Sequence, residues 1–217
     1  MEVHGSHSSV MRPFDDAMRR NIADRCDAFM RVPPAAAGEL KRAAVAIALT
    51  EASETRETAL LLTRRAAGLR SHRAQWALPG GRCDAGETQI EAALRELKEE
   101  LGLELASGAV LGMLDDYPTR SGYLITPVVV WTDLNQRIAP NPAEVASVHF
   151  IPLHLIEAEN SFDFTDIPES RHRVIRFHYE DRLIHAPTAA MIYQFREVLA
   201  GRDTRVADLE QPVFAWK

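Results

Sequence analysis

The stretch Arg95-Glu96-Leu97-Lys98-Glu99-Glu100-Leu101-Gly102 sets three glutamates within two helical turns and puts an arginine immediately before them. Thr88, followed three residues later by Glu91, is a capping box, so the spacing predicts a helix that begins there. Ile90, Ala93, Leu94, Leu97 and Leu101 recur at intervals of three and four and make one apolar stripe, and Gly102 is placed to end the helix in a left-handed cap. On this register Glu96 lies three residues from Glu99 and four from Glu100, so the carboxylates are expected on neighbouring ground beside the stripe. Arg95, four residues before Glu99, is within reach to orient or partly neutralise it.

Two readings of the cluster stand side by side. In one it is a solvated face, with Lys98 and Arg95 supplying compensation. In the other it is a seat for a hard cation: like charges at i, i+4 cost about 0.2–0.5 kcal/mol per pair, a bound divalent ion reverses that cost, and Mg²⁺ and Mn²⁺ favour carboxylate oxygens.

Upstream of the helix, GLRSHRAQWALPGGRCDAGE (68–87) is a polar loop rich in glycine and arginine, the most unusual composition in the chain. Before it, AAVAIAL (43–49) and TALLLTR (58–64) are short apolar runs separated by the polar turn EASETRE, the pattern of a hairpin of buried strands. Beyond the helix, YLITPVVVWT (123–132), VASVHFIPL (145–153) and HRVIRFHYE (172–180) read as strands, and 188–199 as a closing helix. Near the start, Phe14, Met18, Ile22, Cys26 and Phe29 are spaced as on a helix, which Pro33 and Pro34 end. Strands and helices are mixed without the regular alternation of a Rossmann sheet. The organisation expected is a helical extension over 1–35 and one domain over 36–217, since 217 residues suffice for one substantial core.

At 46% apolar and 26% charged residues the composition is that of a soluble globular protein. A net charge of −6 argues against broad nucleic-acid binding, yet leaves room for a local basic patch that holds a phosphorylated small molecule. Cys26 and Cys83 lie far apart without a CxxC context, so neither a disulfide framework nor a zinc site is suggested, and a reducing cytoplasm is the expected location. The opening MEVHGSHSSVMRP lacks the apolar core of a signal peptide, and no later run approaches the roughly 18 apolar residues of a membrane span, so no membrane partner is expected.

Taken together, Gly81, Glu87 and the run from Arg95 to Leu103 resemble the complete Nudix box, with every fixed position filled. The resemblance implies an α/β fold, the Nudix α/β/α sandwich on a mixed sheet, and Mg²⁺- or Mn²⁺-dependent hydrolysis of a nucleoside diphosphate linked to another group. By position it implies Glu96 and Glu100 as principal metal ligands, Glu99 as a ligand or water-positioning group, and the Gly80 carbonyl as a further ligand. Glu87 would then support the metal shell and Arg95 would hold a glutamate in place. Attack by water on a pyrophosphate needs cations, both to neutralise its oxygens and to lower the pKa of the water.

Leu61-Leu62-Thr63, Arg65, Leu69-Arg70-Ser71-His72-Arg73-Ala74-Gln75 and Leu78-Pro79-Gly80-Gly81 are similar to the additional signature of the coenzyme A pyrophosphatase branch, written LLTxR, LRxHxGQ and FPGG. Ala74 stands where glycine is usual, and Leu78 where phenylalanine is usual. That branch cleaves coenzyme A to 4′-phosphopantetheine and adenosine 3′,5′-bisphosphate, and the likeness implies Arg65, Arg70, His72 and Arg73 as substrate-binding residues; the alternatives are a Nudix hydrolase of ADP-ribose, a dinucleotide or a nucleoside triphosphate, and a Nudix-fold module that binds a nucleotide without cleaving it. Ordinary alternatives are a solubilising arginine loop and a structural His72. The segment 141–153 resembles the place where the family carries a late acidic residue, which makes Glu144 the candidate general base or remote ligand, against a plain surface glutamate; Glu157, Glu159 and Glu169 are weaker candidates. Catalytic work is thus expected of Glu99, Glu100 and Glu144. The segment 184–189 lacks the aromatic-glycine pair the family tends to place before its last helix. A homodimer is expected by analogy with the family, with the N-terminal helix and the tail 213–216 as candidate contributors.

Overall fold

The computed structural model describes residues 11–32, 40–67, 75–132 and 137–213. In chain order the elements are α1 (Asp16–Ala28), β1 (Lys41–Glu51), β2 (Thr58–Arg65), β3 (Trp76–Ala77), β4 (Gly80–Arg82) and α2 (Gln89–Leu101). They continue with β5 (Val110–Met113), β6 (Tyr117–Pro118), β7 (Tyr123–Trp131), β8 (Val145–Pro152) and α3 (Leu153–Glu157). The chain closes with β9 (Phe162–Thr165), β10 (Val174–Tyr179), β11 (Arg182–His185) and α4 (Thr188–Leu199).

Side chains alternate along β1, and this alternation builds two cores. Ala44, Ala46 and Ala48 face α2, where they meet Ala92, Ala93, Leu97 and Leu101, with Leu61, Val128 and Val130 from β2 and β7. Ile47 and Leu49 face the other way, into a larger core with Leu60, Leu62, Val129 and Trp131, covered by Ile22 and Cys26 of α1 and by Ile192, Phe195 and Val198 of α4. Alanines on the α2 side let the helix backbone lie close to the sheet, while leucines and aromatics fill the other side. The layering is α/β/α, as the sequence implied.

The main sheet is mixed. β1 and β7 run parallel in register from Lys41↔Tyr123 to Leu49↔Trp131, and every other pairing is antiparallel. The strand path is β3-β2-β1-β7-β5, with β4 on β1, β6 on β7 and β8 on β2. Pro127 is tolerated inside β7 because it falls between the residues that pair with β6 and those that pair with β5, where its missing N–H breaks no antiparallel bond.

The hairpin of β1 and β2, the helix α2 with its Thr88–Glu91 capping box and left-handed Gly102, and strands β7 and β8 lie where the sequence placed them. Two expectations need trimming. The run 172–180 is a strand only from Val174 to Tyr179, and it belongs to a separate sheet, β11-β10-β9. Leu153 belongs to α3 and not to the preceding strand. β9 and β11 have four residues each, too few to show a period. Among the described residues no helix is long and apolar enough to cross a membrane.

Candidate functional site

Glu100 is the centre of the arrangement. It lies three residues beyond Leu97 and seven beyond Ala93, so it sits on the buried stripe rather than beside it, and it is only 2% exposed. Its Oε2 is buried without a hydrogen-bond partner. Burial pushes its carboxyl up to about 8, against the lowering effect of Arg65 and with further raising by Glu96 and Glu144. Its cationic neighbour, Arg65, stands with Nη1 at 3.5 Å from Oε1.

Glu96, one turn earlier, is also turned inward, and burial raises its carboxyl while Arg95 lowers it. Glu99 points outward, with about half of its side chain exposed. Arg95 ties the group together. Its Nη1 donates to Glu96 Oε1 at 2.8 Å and to Glu99 Oε2 at 3.1 Å, while its Nε and Nη2 grip the two oxygens of Glu87 at 2.8 and 3.1 Å. The Asp84 N–H donates to the same Glu87 carboxylate. The three helix glutamates therefore divide into an inward pair, Glu96 and Glu100, and an outward Glu99 joined to Glu96 through one guanidinium.

Gly80 and Gly81 pass directly beneath this pair. A Cβ on Gly81 would stand 2.1 Å from Glu96 Oε1, so any side chain there would displace the carboxylate. A Cβ on Gly80 would strike the backbone of Ala44 and Val45 on β1, at 2.3 Å from the Ala44 carbonyl oxygen. The first glycine thus permits strand pairing, and the second permits Glu96 to reach the loop.

Glu144 joins the site from the far end of the chain. The Asn141 N–H donates to the Glu100 carbonyl and the Ala139 N–H to the Leu101 carbonyl, which docks the segment before β8 on the end of α2. The Glu144 carboxylate is near enough to raise both Glu96 and Glu100, and Asn141 Nδ2 donates to its Oε1 at 3.3 Å. The Glu144 carbonyl in turn accepts the Ala66 N–H, just beyond a register shift between β2 and β8 at Arg64 and Arg65, where β8 carries the extra residue.

Of the residues singled out in the sequence, the structure gathers Gly80, Glu96, Glu99, Glu100, Arg65 and Glu144. Arg70, His72 and Arg73 lie outside the described residues, as do 214–216 of the tail. Glu157 is taken up by a two-pronged pair with Arg12, and Glu159 and Glu169 are exposed. Among the described residues no three His, Cys, Asp or Glu side chains are already drawn together as a metal-ligand set. The carboxylates are spread onto arginine partners instead. Asn141 and the bulge at Arg64/Arg65 are contributions that the sequence reading missed. A polar Asn three residues before an acidic candidate was a usable signal for the first, and none was available for the second. Cys26 and Cys83 are both free, and burial pushes Cys26 up to about 12.

A mixed sheet with a glutamate helix on one face, a double-glycine strand beneath it and helices on the other face is the arrangement that the Nudix resemblance implied, and comparison with known proteins agrees. The NUDIX domain model matches residues 40–168, and the chain belongs to the Nudix family of pyrophosphohydrolases. A protein of Photorhabdus laumondii described as "Uncharacterized Nudix hydrolase NudL" is 39% identical over 141 residues, covering 64% of this chain and 75% of the relative. Its namesake in Pectobacterium atrosepticum is 38% identical over 146 residues, covering 66% and 76%. Among solved structures, a MutT/nudix family protein from Enterococcus faecalis superposes with a TM-score of 0.53 at 18% identity, over 86% of this chain and 75% of that one, a likeness of fold.

Proposed function

We propose that the protein hydrolyses the pyrophosphate bond of coenzyme A or its thioesters, releasing 4′-phosphopantetheine or its acyl form and adenosine 3′,5′-bisphosphate. Mg²⁺ or Mn²⁺ would be held by Glu96, Glu99, Glu100 and the Gly80 carbonyl. The observation that carries the metal site is the buried, unpartnered Oε2 of Glu100, because an unsatisfied carboxylate oxygen in a protein interior is costly unless something binds it. The donor set fits as well, being carboxylate and carbonyl oxygens of the kind that hard divalent ions favour. Gly81 leaves the space in which Glu96 meets the loop.

When bound, the cation supplies neutralisation of the pyrophosphate oxygens and acidifies the attacking water. The chain's own residues do the rest. Glu144 accepts the proton of that water, steadied by Asn141 at its Oε1. Arg95, anchored on Glu87, fixes Glu96 and Glu99 in orientation. Arg65 supplies a cationic donor for the phosphates, joined by Arg70, His72 and Arg73 of the upstream loop. The preference for coenzyme A rests on the LLTxR and LRxH residues of this chain.

The test is to incubate the protein and its Glu100→Gln variant with Mg²⁺ or Mn²⁺ and coenzyme A, beside ADP-ribose, NADH and a nucleoside triphosphate, and to separate the products. Release of adenosine 3′,5′-bisphosphate from coenzyme A in clear preference, lost in the variant, is the expected outcome. Preferred cleavage of another substrate retains the metal site and discards the coenzyme A reading. Undiminished activity in the variant discards the assignment of Glu100.

A further inference from the structure

Arg65 and Glu100 form a pair that neither partner needs in the form it takes. The contact is long at 3.5 Å, Arg65 Nε is buried without an acceptor, and Glu100 Oε2 is buried without a donor. A buried carboxyl group and a partly exposed guanidinium, each with a buried atom whose hydrogen-bonding capacity is unmet, are a poor stabilising device, since such attraction seldom repays desolvation unless the remaining atoms are satisfied. Strand alternation accounts for the approach: Leu61 packs on the α2 side with Leu97 and Leu101, and Arg65, four residues further along β2, faces the same way. The register between β2 and β8 shifts here, Arg64 pairing with Ser147 and Arg65 with Val145, so the extra residue, Ala146, belongs to β8. The end of β2 is secured on both sides, by the Arg65 N–H to the Gln75 carbonyl and the Ala66 N–H to the Glu144 carbonyl. The backbone is thus arranged to deliver one guanidinium to the buried carboxylate.

Resting on the proposed function, we infer that Arg65 is a displaceable counter-ion: it neutralises Glu100 when no divalent cation is bound, and on metal loading it is released to grip a phosphate of the substrate. One positive charge serves two acceptors in turn. The long contact and the unmet Nε suit a group that must exchange partners, and the planar fork of arginine matches both a carboxylate and a phosphate. Arg95 contrasts with it. With five short bonds to Glu87, Glu96, Glu99 and the Arg82 carbonyl, it is built to stay.

The inference makes Arg65 a competitor of the metal and a partner of the substrate, two effects of opposite sign from one residue. Mn²⁺ binding is measured by electron paramagnetic resonance without substrate, on wild type, Arg65→Gln, Arg65→Lys and Glu100→Gln, each first shown by thermal unfolding to be folded. Arg65→Gln is expected to bind Mn²⁺ about tenfold more tightly than wild type, as removal of an adjacent positive charge requires, and Arg65→Lys to fall close to wild type. In saturating Mn²⁺ the same Arg65→Gln protein should bind imidodiphosphate about tenfold more weakly. Unchanged or weakened Mn²⁺ binding in folded Arg65→Gln, while Glu100→Gln loses the ion, overturns the counter-ion role and leaves the metal site intact. Equal Mn²⁺ binding by wild type and Glu100→Gln overturns the metal reading itself.

Discussion

Beside α4, Asp115 is 5% exposed and every oxygen is engaged: Oδ1 accepts the Val32 N–H at 2.7 Å, and Oδ2 accepts Gln194 Nε2 and Arg205 Nη1, both at 2.9 Å. Under α2, Glu100 is buried as deeply but has one distant arginine, the Gly80 backbone and one oxygen with no partner. Glu197 follows Asp115, with Arg202 on both oxygens and Thr204 on one of them. Buried carboxylates on the α4 side are thus closed structural joints, tying the segment around Val32 to the β5–β6 connection and the segment around Thr204 to α4. The carboxylate on the α2 side is left open. The difference separates groups that hold the fold from a group the fold holds ready, and it implies opposite responses to the same kind of substitution.

The largest effect expected is catalytic. Glu100→Gln should lower turnover of a pyrophosphate substrate by at least about 10³-fold, read from kcat in saturating Mg²⁺, while the melting temperature stays level or rises, because an amide of the same shape replaces a carboxyl whose charged form burial already disfavours. Asp115→Ala should do the reverse. Loss of the carboxylate removes one bond each from Val32, Gln194 and Arg205, the last two keeping others to Thr204 and Met30, and costs about 2 kcal/mol, which for a chain of this length lowers the melting temperature by roughly 4–8 °C in calorimetry. Mn²⁺ affinity should not move. A destabilised Glu100→Gln, or an Asp115→Ala protein that loses metal binding, breaks the distinction between open and closed carboxylates.

How far this contrast was legible in the sequence depends on how local its causes are. The helix α2 was fully legible, since its cap, stripe and terminating glycine all lie within fifteen residues. The burial of Glu100 was not read from it: charge argues for the surface and placed the carboxylate beside the stripe, although its spacing from Ala93 and Leu97 is that of the stripe itself, and tertiary packing decides for burial. The closed joints were not legible. Asp115 draws its partners from Val32, Gln194 and Arg205, which only the completed fold brings together. The bulge at Arg64/Arg65 is a property of two paired strands, so one strand's residues cannot announce it.

A third carboxylate sharpens the comparison through pH. Glu210, paired with Arg120 on both oxygens, is held down at about 2 from an ordinary value of 4.5, chiefly by that arginine. The unfolded chain takes up this proton near 4.5 and the folded chain only near 2, so the pair's contribution is complete above about pH 4.5 and is lost as pH falls through about 2. Arg120 is half exposed, which limits the size of the effect through solvent and salt. Arg120→Gln should therefore flatten the acid limb of a urea-unfolding stability curve between about pH 4.5 and 2 and leave the curve above pH 6 nearly parallel to that of wild type. An unchanged acid limb would show that Glu210 is not one of the closed joints.

The smallest effect lies at the start of α2, where the helix that carries the open carboxylate is anchored. Thr88 accepts the Glu91 N–H, and Glu91 returns a bond to the Thr88 N–H, so two otherwise unpaired donors of the first turn are met. Thr88→Ala removes half of this arrangement and should cost about 1 kcal/mol of stability. Glu96 lies two turns downstream and Glu100 three, and both are positioned by packing of Ala92, Ala93, Leu97 and Leu101 on the alanine face of β1, not by the cap. Activity at 25 °C should accordingly survive nearly intact while the melting temperature falls by roughly 2–4 °C. If instead Thr88→Ala loses activity far more than stability, the glutamates depend on the helix terminus for their geometry, and the sheet alone does not set the open site.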